Sequence, residues 1–323
     1  LEDDPNRVLL LARSFERRDG QGLSKLVKLD LRNGNTRVID ETPEYVENLL
    51  SSSDATSLLA TSRSRDYSSK LYLSKDGGKL WREVTLGLGG YAEPIRPLLI
   101  EGGSIYVLAQ RDGPPDAPSH VLRYRIDENR WEMVHDIGFS TLTDIDVGED
   151  GELNLLAWFG DEPRIKVFDS GDLTSKVVRS IAKSYPGFET RAISESGDGN
   201  LLLVHVGSGA HMGEYFLYDA AAKKARFLVA NDEDFDGSRL SELQPIRFEA
   251  SDGVTIPGWF QPVPGVAKPP LVVDIHGGPH GPYHPFGFNA DWHLFNAMGY
   301  AVYAPNFRGS GGYGKGFERS GFG

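Results

Sequence analysis

Leu271-Val272-Val273-Asp274-Ile275-His276-Gly277-Gly278-Pro279 joins an apolar run to a histidine and a glycine pair, and Asn306-Phe307-Arg308-Gly309-Ser310-Gly311-Gly312-Tyr313-Gly314 follows about thirty residues later. A buried strand that opens into bare glycines exposes backbone N–H groups at the strand's end, where they can hold a developing negative oxygen. Between the two stretches, Phe288, Trp292, Phe295 and Met298 recur at helical spacing and Gly299 ends the pattern. Tyr300–Ala304 then reads as a second buried strand. Upstream, Pro245–Ala250 and Thr255–Gln261 flank Ser251-Asp252-Gly253 as a hairpin. Pro269–Ile275 is continuous and apolar, the pattern of a strand buried on both faces. Hairpin, strand, helix and strand together make the start of an α/β sheet over residues 241–323.

Residues 1–240 have a different rhythm. Short β-rich segments alternate with Gly, Asp, Asn and Ser clusters, and almost no helical periodicity is present. A strand, turn and strand unit recurs at Leu26–Ile39, Leu71–Val84, Val121–Val134, Ile165–Val178 and Tyr215–Val229. Their turns are Arg32–Asn35, Lys75–Gly78, Asp127–Asn129, Ser170–Asp172 and Ala220–Lys223. The markers Leu29, Leu73, Tyr124, Phe168 and Tyr218 are spaced by 44, 51, 44 and 50 residues. A period of that size predicts an all-β propeller with about five blades covered, ahead of a generic sandwich. The acidic run Asn231–Gly237 reads as a linker; it lacks the distal glutamate of a calcium loop.

One hairpin contains Ser74-Lys75-Asp76-Gly77-Gly78-Lys79-Leu80-Trp81, the Ser-x-Asp-x-Gly-x-x-Trp box found in sialidases and related propellers. Its expected role is structural, with Asp76 capping the turn and Trp81 packing between blades. No arginine cluster accompanies it, so a glycosidase ranks last among the functions considered.

The chain has 323 residues, 39% hydrophobic and 25% charged, as ordinary globular proteins do, and its length favours two domains. Of the net charge of −12, residues 241–323 contribute −1, so residues 1–240 carry −11 and disfavour nucleic acid as a partner. The absence of cysteine excludes disulfides, thiol catalysis and thiolate metal sites in this stretch. No apolar run reaches the roughly 20 residues of a membrane helix. The chain starts at Leu1 without a methionine, so its native N-terminus is expected upstream, which leaves the compartment open along with any targeting signal. Oligomeric state is not encoded legibly.

The order and spacing of Asp252-Gly253, His276–Pro279, Gly299-Tyr300-Ala301-Val302 and Asn306–Gly314 resemble the prolyl oligopeptidase family, in its acylaminoacyl-peptidase and dipeptidyl-peptidase-like branch. That resemblance implies a propeller gating an α/β-hydrolase domain, a peptide substrate, no cofactor, and acyl transfer through a Ser-His-Asp triad. It also implies an oxyanion loop at His276, Gly277, Gly278 and Pro279, with the Gly278 N–H as donor, and a site-shaping loop at Arg308, Gly309, Ser310 and Tyr313. His276 precedes any nucleophile and is not expected to be the triad base, which follows the nucleophile in this fold. A zinc site from His276, His280 and His284 has no supporting spacing. No Gly-x-Ser-x-Gly elbow occurs; Arg308-Gly309-Ser310-Gly311-Gly312 comes nearest, with arginine in place of the first glycine. The triad is therefore expected beyond residue 323, the present chain is expected to be inactive alone, and the alternative is a non-catalytic propeller module carrying a hydrolase remnant.

Overall fold

A computed structural model describes residues 6–12, 24–42, 46–63, 69–84, 89–91, 95–232, 240–278 and 280–322. Most of the acidic run after Asn231, and Pro279 of the glycine turn, lie outside the described residues. By contact the chain forms two compact units: one of Leu1–Gly113, Pro118–Asp136 and Val147–Glu152, and one of Pro114–Ala117, Ile137–Asp146 and Leu153–Gly323.

The first unit begins with a meander of β1 (Arg7–Ala12), β2 (Lys25–Asp30) and β3 (Thr36–Glu41). A four-stranded meander follows, β4 (Val46–Ser51), β5 (Leu58–Arg63), β6 (Ser69–Ser74) and β7 (Arg82–Val84). Then come β8 (Arg96–Glu101), β9 (Ser104–Gln110), β10 (Ser119–Arg125) and β11 (Arg130–Gly138), again paired in chain order. Alternate residues of these strands, including Leu59, Leu71, Ile105, Val107, Leu122 and Tyr124, share one buried cluster. The Ser74–Trp81 box is a turn device here. Asp76 accepts from the Lys79 and Leu80 N–H groups at 3.0 and 2.9 Å, Ser74 Oγ donates to Asp76, and the Trp81 indole donates to Gly78 O at 3.0 Å. Those bonds hold the Asp76 carboxyl below its usual range. The Trp81 ring packs against a cluster with Leu11 of β1 and Val46, Ala60 and Tyr72.

The second unit holds β12 (Thr141–Val147), β13 (Leu153–Phe159) and β14 (Pro163–Val167) as a three-stranded sheet, followed by α1 (Leu173–Ser184). The hairpin expected over Ile165–Val178 does not form. Asp172 caps a helix instead, accepting the Ser175 N–H at 2.6 Å, and Val177 and Val178 pack inward with Leu202 and Leu155 respectively. Ser170-Gly171-Asp172 suits a hairpin and a helix start equally. What decides is the apolar spacing of Leu173, Val177 and Ile181, which is helical. Next is the meander β15 (Glu189–Glu195), β16 (Leu201–Gly207), β17 (Glu214–Asp219) and β18 (Lys224–Ala230). Antiparallel meanders of three or four strands fit a propeller domain.

The last sheet is mixed. It contains β19 (Gln244–Glu249), β20 (Thr255–Gln261), β21 (Leu271–Val273) and β22 (Ala301–Pro305) in the order β19-β20-β22-β21, with α2 (Ala290–Ala297) between β21 and β22 and α3 (Lys315–Arg319) after them. β21 and β22 are parallel; the other pairs are antiparallel. β22 is buried as expected, with Ala301, Val302 and Ala304 at most 2% exposed. β21 is not. Leu271, Val273 and, just beyond the strand, Ile275 are 54, 50 and 59% exposed; they alternate along the chain and so share one face of the sheet, which is left uncovered here. Trp292 of α2 is buried with Trp259 and Val302, whereas Met298, expected on the same face, is its exposed C-cap.

Asp144 and Asp146 within β12, and Glu189 at the start of β15, titrate above the usual carboxylate range, chiefly because burial penalises their charge. The native state thus binds these protons more tightly than the unfolded chain. Stability should rise as pH falls from neutral through their folded pKa values towards about 4, the unfolded value. Asp144→Asn should therefore raise the urea midpoint at pH 7 and raise it less at pH 5; a lowered midpoint at pH 7 would contradict the assignment.

Candidate active-site loops

Two loops of the second unit meet at the ends of the parallel strands. One runs from Asp274 past the glycine turn to His284, and the other from Asn306 to Gly314. Asn306 is fully buried and ties them together: its Oδ1 accepts the His284 N–H at 2.7 Å, and its amide donates to His284 O at 3.0 Å and to the Tyr313 hydroxyl at 3.1 Å. Trp259 Nε1 donates to the same His284 carbonyl at 2.8 Å. Backbone bonds close the seam, Gly281 N–H to Gly309 O at 3.0 Å and Gly311 N–H to Pro282 O at 3.2 Å.

His276 is the pivot of the first loop. Its ring stacks on Phe307 at 4.3 Å and meets His284 edge-on at 5.1 Å. Nδ1 lies 2.8 Å from Gly277 O, which can only accept, so Nδ1 carries the proton. In the neutral ring Nε2 then accepts the Ser310 hydroxyl, 2.7 Å away. A serine donating to a histidine imitates a nucleophile and base pair. Ser310 has no exposed surface, however, so its oxygen holds the imidazole in place and meets no substrate. Removing the hydroxyl leaves Nε2 unpaired. Ser310→Ala should lower unfolding stability by about 1–3 kcal/mol, read by urea denaturation.

Gly277 and Gly278 are exposed, and among the described residues their N–H groups donate to nothing. Gly278 has φ +145, and a Cβ there would sit 3.0 Å from His280 N. The turn therefore presents backbone donors to solvent in a conformation that suits glycine.

The other expected site residues are placed as follows. Arg308 pairs with Asp252 of the β19–β20 turn, holding that carboxyl below its usual range, so the guanidinium serves as an internal brace. Gly309 accepts from Gly281 and donates to Phe317 O at 3.1 Å. The Tyr313 ring lies in the core against Phe139 and Phe317, and burial pushes its hydroxyl up to about 12. Asp274 accepts the Trp292 indole N–H at 2.6 Å, fixing the start of the loop on α2. Burial lowers the His284 pKa. Among the described residues no group of three or more His, Cys, Asp or Glu is placed to hold a metal ion. The Asn306 clamp and the Ser310–His276 bond were not anticipated, since spacings of 22 and 34 residues carry no signal without the fold.

No family model matches the sequence. Over 91 residues, 27% of this chain and 14% of the relative, it is 37% identical to the uncharacterized peptidase YuxL of Bacillus subtilis (strain 168). A solved prolyl endopeptidase superposes with a TM-score of 0.67 at 15% identity, covering 98% of this chain and 47% of its own. The chain has the prolyl oligopeptidase fold. Acylaminoacyl peptidase of Pyrococcus horikoshii shares it, with a TM-score of 0.60 at 16% identity over 98% of this chain and 51% of that one. The chain thus spans about half the length of the solved structures with this prolyl oligopeptidase fold, and among its described residues no helix is long and apolar enough to cross a membrane.

Proposed function

We propose that this chain belongs to a serine peptidase that hydrolyses short peptides, and that it supplies the propeller gate and the oxyanion side of the active site. In this reading residues 1–240 form the propeller and residues 241–323 open an α/β-hydrolase domain. The observation that carries it is the pair of exposed N–H groups at Gly277 and Gly278, which meet no acceptor among the described residues, lie past the end of a parallel strand and are braced by the Ser310–His276 bond. When a serine oxygen adds to the substrate carbonyl, the carbonyl oxygen gains a full negative charge. The Gly278 N–H would meet that charge, and such a donor contributes about 10²–10³ in rate. The amine then leaves with the proton held by the base, and water regenerates the serine.

The nucleophile, acid and base are assigned to residues outside 1–323. Two features support that: Ser310 is inaccessible, and no serine of the chain, Ser310 included, sits in a Gly-x-Ser-x-Gly elbow. The edge position of β21 also suits a sheet that continues, and its exposed apolar side chains suit a further covering layer. Hydrolysis of N-acylated and unblocked short peptide p-nitroanilides by the protein that includes the sequence encoded after Gly323 tests the reading. Turnover that residues 1–323 alone lack is the expected result; failure to cleave any of them, or a stop codon there, would favour the non-catalytic module, and glycoside turnover the sialidase-like alternative.

A further inference from the structure

The helix that replaces an expected hairpin creates a cavity of about 490 Å³. Its walls include Ile165 and Val167 of β14, Arg179 and Lys183 of α1, and Tyr185 and Phe188 just beyond it, and it shares no residue with the loops described above. Lys166 completes a cationic lining, and no acidic residue lines the cavity. In a chain of net charge −12 this is an inversion. α1 itself carries Lys176, Arg179 and Lys183 and no Asp or Glu.

Lys176 is engaged, donating to Gly171 O at 2.6 Å. Arg179 and Lys183 are exposed, form no ion pair among the described residues, and lie four positions apart on one helix face. Lys183, in the last turn, complements the helix dipole; Arg179, a turn earlier, gains little from it. Past the helix C-cap, the Tyr185 and Phe188 rings meet at 5.7 Å and give the cavity an aromatic wall.

We propose that this cavity binds a small carboxylate with an aromatic or aliphatic body. The guanidinium fork of Arg179 matches a carboxylate bidentately, Lys183 supplies a second donor, and the apolar body lies on Tyr185, Phe188 and Ile165. A dianionic phosphate suits the site less. The helix end at the cavity is a C-terminus, capped at Tyr185, whose negative potential opposes the two charges of a phosphate more than the single charge of a carboxylate that the Arg179 and Lys183 cations offset, and no helix N-terminus lines it. This assignment does not depend on the peptidase reading.

Isothermal titration of the full chain with 3-phenylpropionate tests it, with 3-phenylpropionamide and phenyl phosphate as comparison probes. Saturable binding of the carboxylate is expected, weakened about tenfold or more in the amide and in the Arg179→Gln/Lys183→Gln variant. Both substitutions are at exposed positions, and the amide comparison on the unaltered chain stands even if the variant does not fold. No saturable binding, equal affinity for the amide, an unchanged affinity in a folded double variant, or tighter binding of phenyl phosphate would overturn it.

Discussion

Replacing Gly311 by alanine should unfold the seam between the two loops, lowering stability by about 3 kcal/mol or more and removing most of the proposed activity. An added Cβ would lie 2.2 Å from Gly281 O, a backbone atom that cannot step aside as a flexible side chain would. Separating the two loops breaks the Gly281–Gly309 and Gly311–Pro282 bonds, and it pulls Ser310 from His276. Denaturant titration together with peptide turnover in the longer protein reads both effects. A variant of unaltered midpoint would show that the loops are not held together as described.

Gly278→Ala should act differently. The substitution changes an exposed turn, so the unfolding midpoint should move little, while kcat of the longer protein should fall about 10²-fold. At φ +145 a side chain is strained, and the new Cβ would crowd His280 N at 3.0 Å. The turn relieves this by rotating its N–H away from the position where the oxyanion forms. A fall in kcat with KM nearly constant marks a donor used in the transition state. A higher KM with kcat intact would place the turn in substrate binding instead.

The two substitutions separate what was readable in the sequence from what needed the fold. The glycine turn and the strand Ala301–Pro305 were legible because each is local: bare glycines after an apolar run, and an unbroken buried segment. The hairpins at Lys75–Gly78 and Asp127–Asn129 were legible for the same reason. Helix α1 was misread because its first residues suit a hairpin turn as well as a helix cap, and only the spacing of Leu173, Val177 and Ile181 separates the two. β21 was expected to be covered on both faces. Burial on both faces needs a covering layer on each, and the face carrying Leu271, Val273 and Ile275 is exposed. The resemblance puts Tyr313 and Arg308 in a site-shaping loop without fixing where their side chains go; one faces an aromatic core and the other a carboxylate of the β19–β20 turn, because a glycine-rich loop leaves the direction of its side chains to tertiary contacts.

In the proposed enzyme, residues 1–323 supply oxyanion stabilisation to a nucleophile located elsewhere. Fluorophosphonate labelling followed by peptide mapping tests it most directly, applied to residues 1–323 and to the protein that includes the sequence encoded after Gly323. A single modified serine in the longer protein, outside residues 1–323, and none in the shorter chain is the expected result. Modification of Ser310, or of any other serine within residues 1–323, would contradict it.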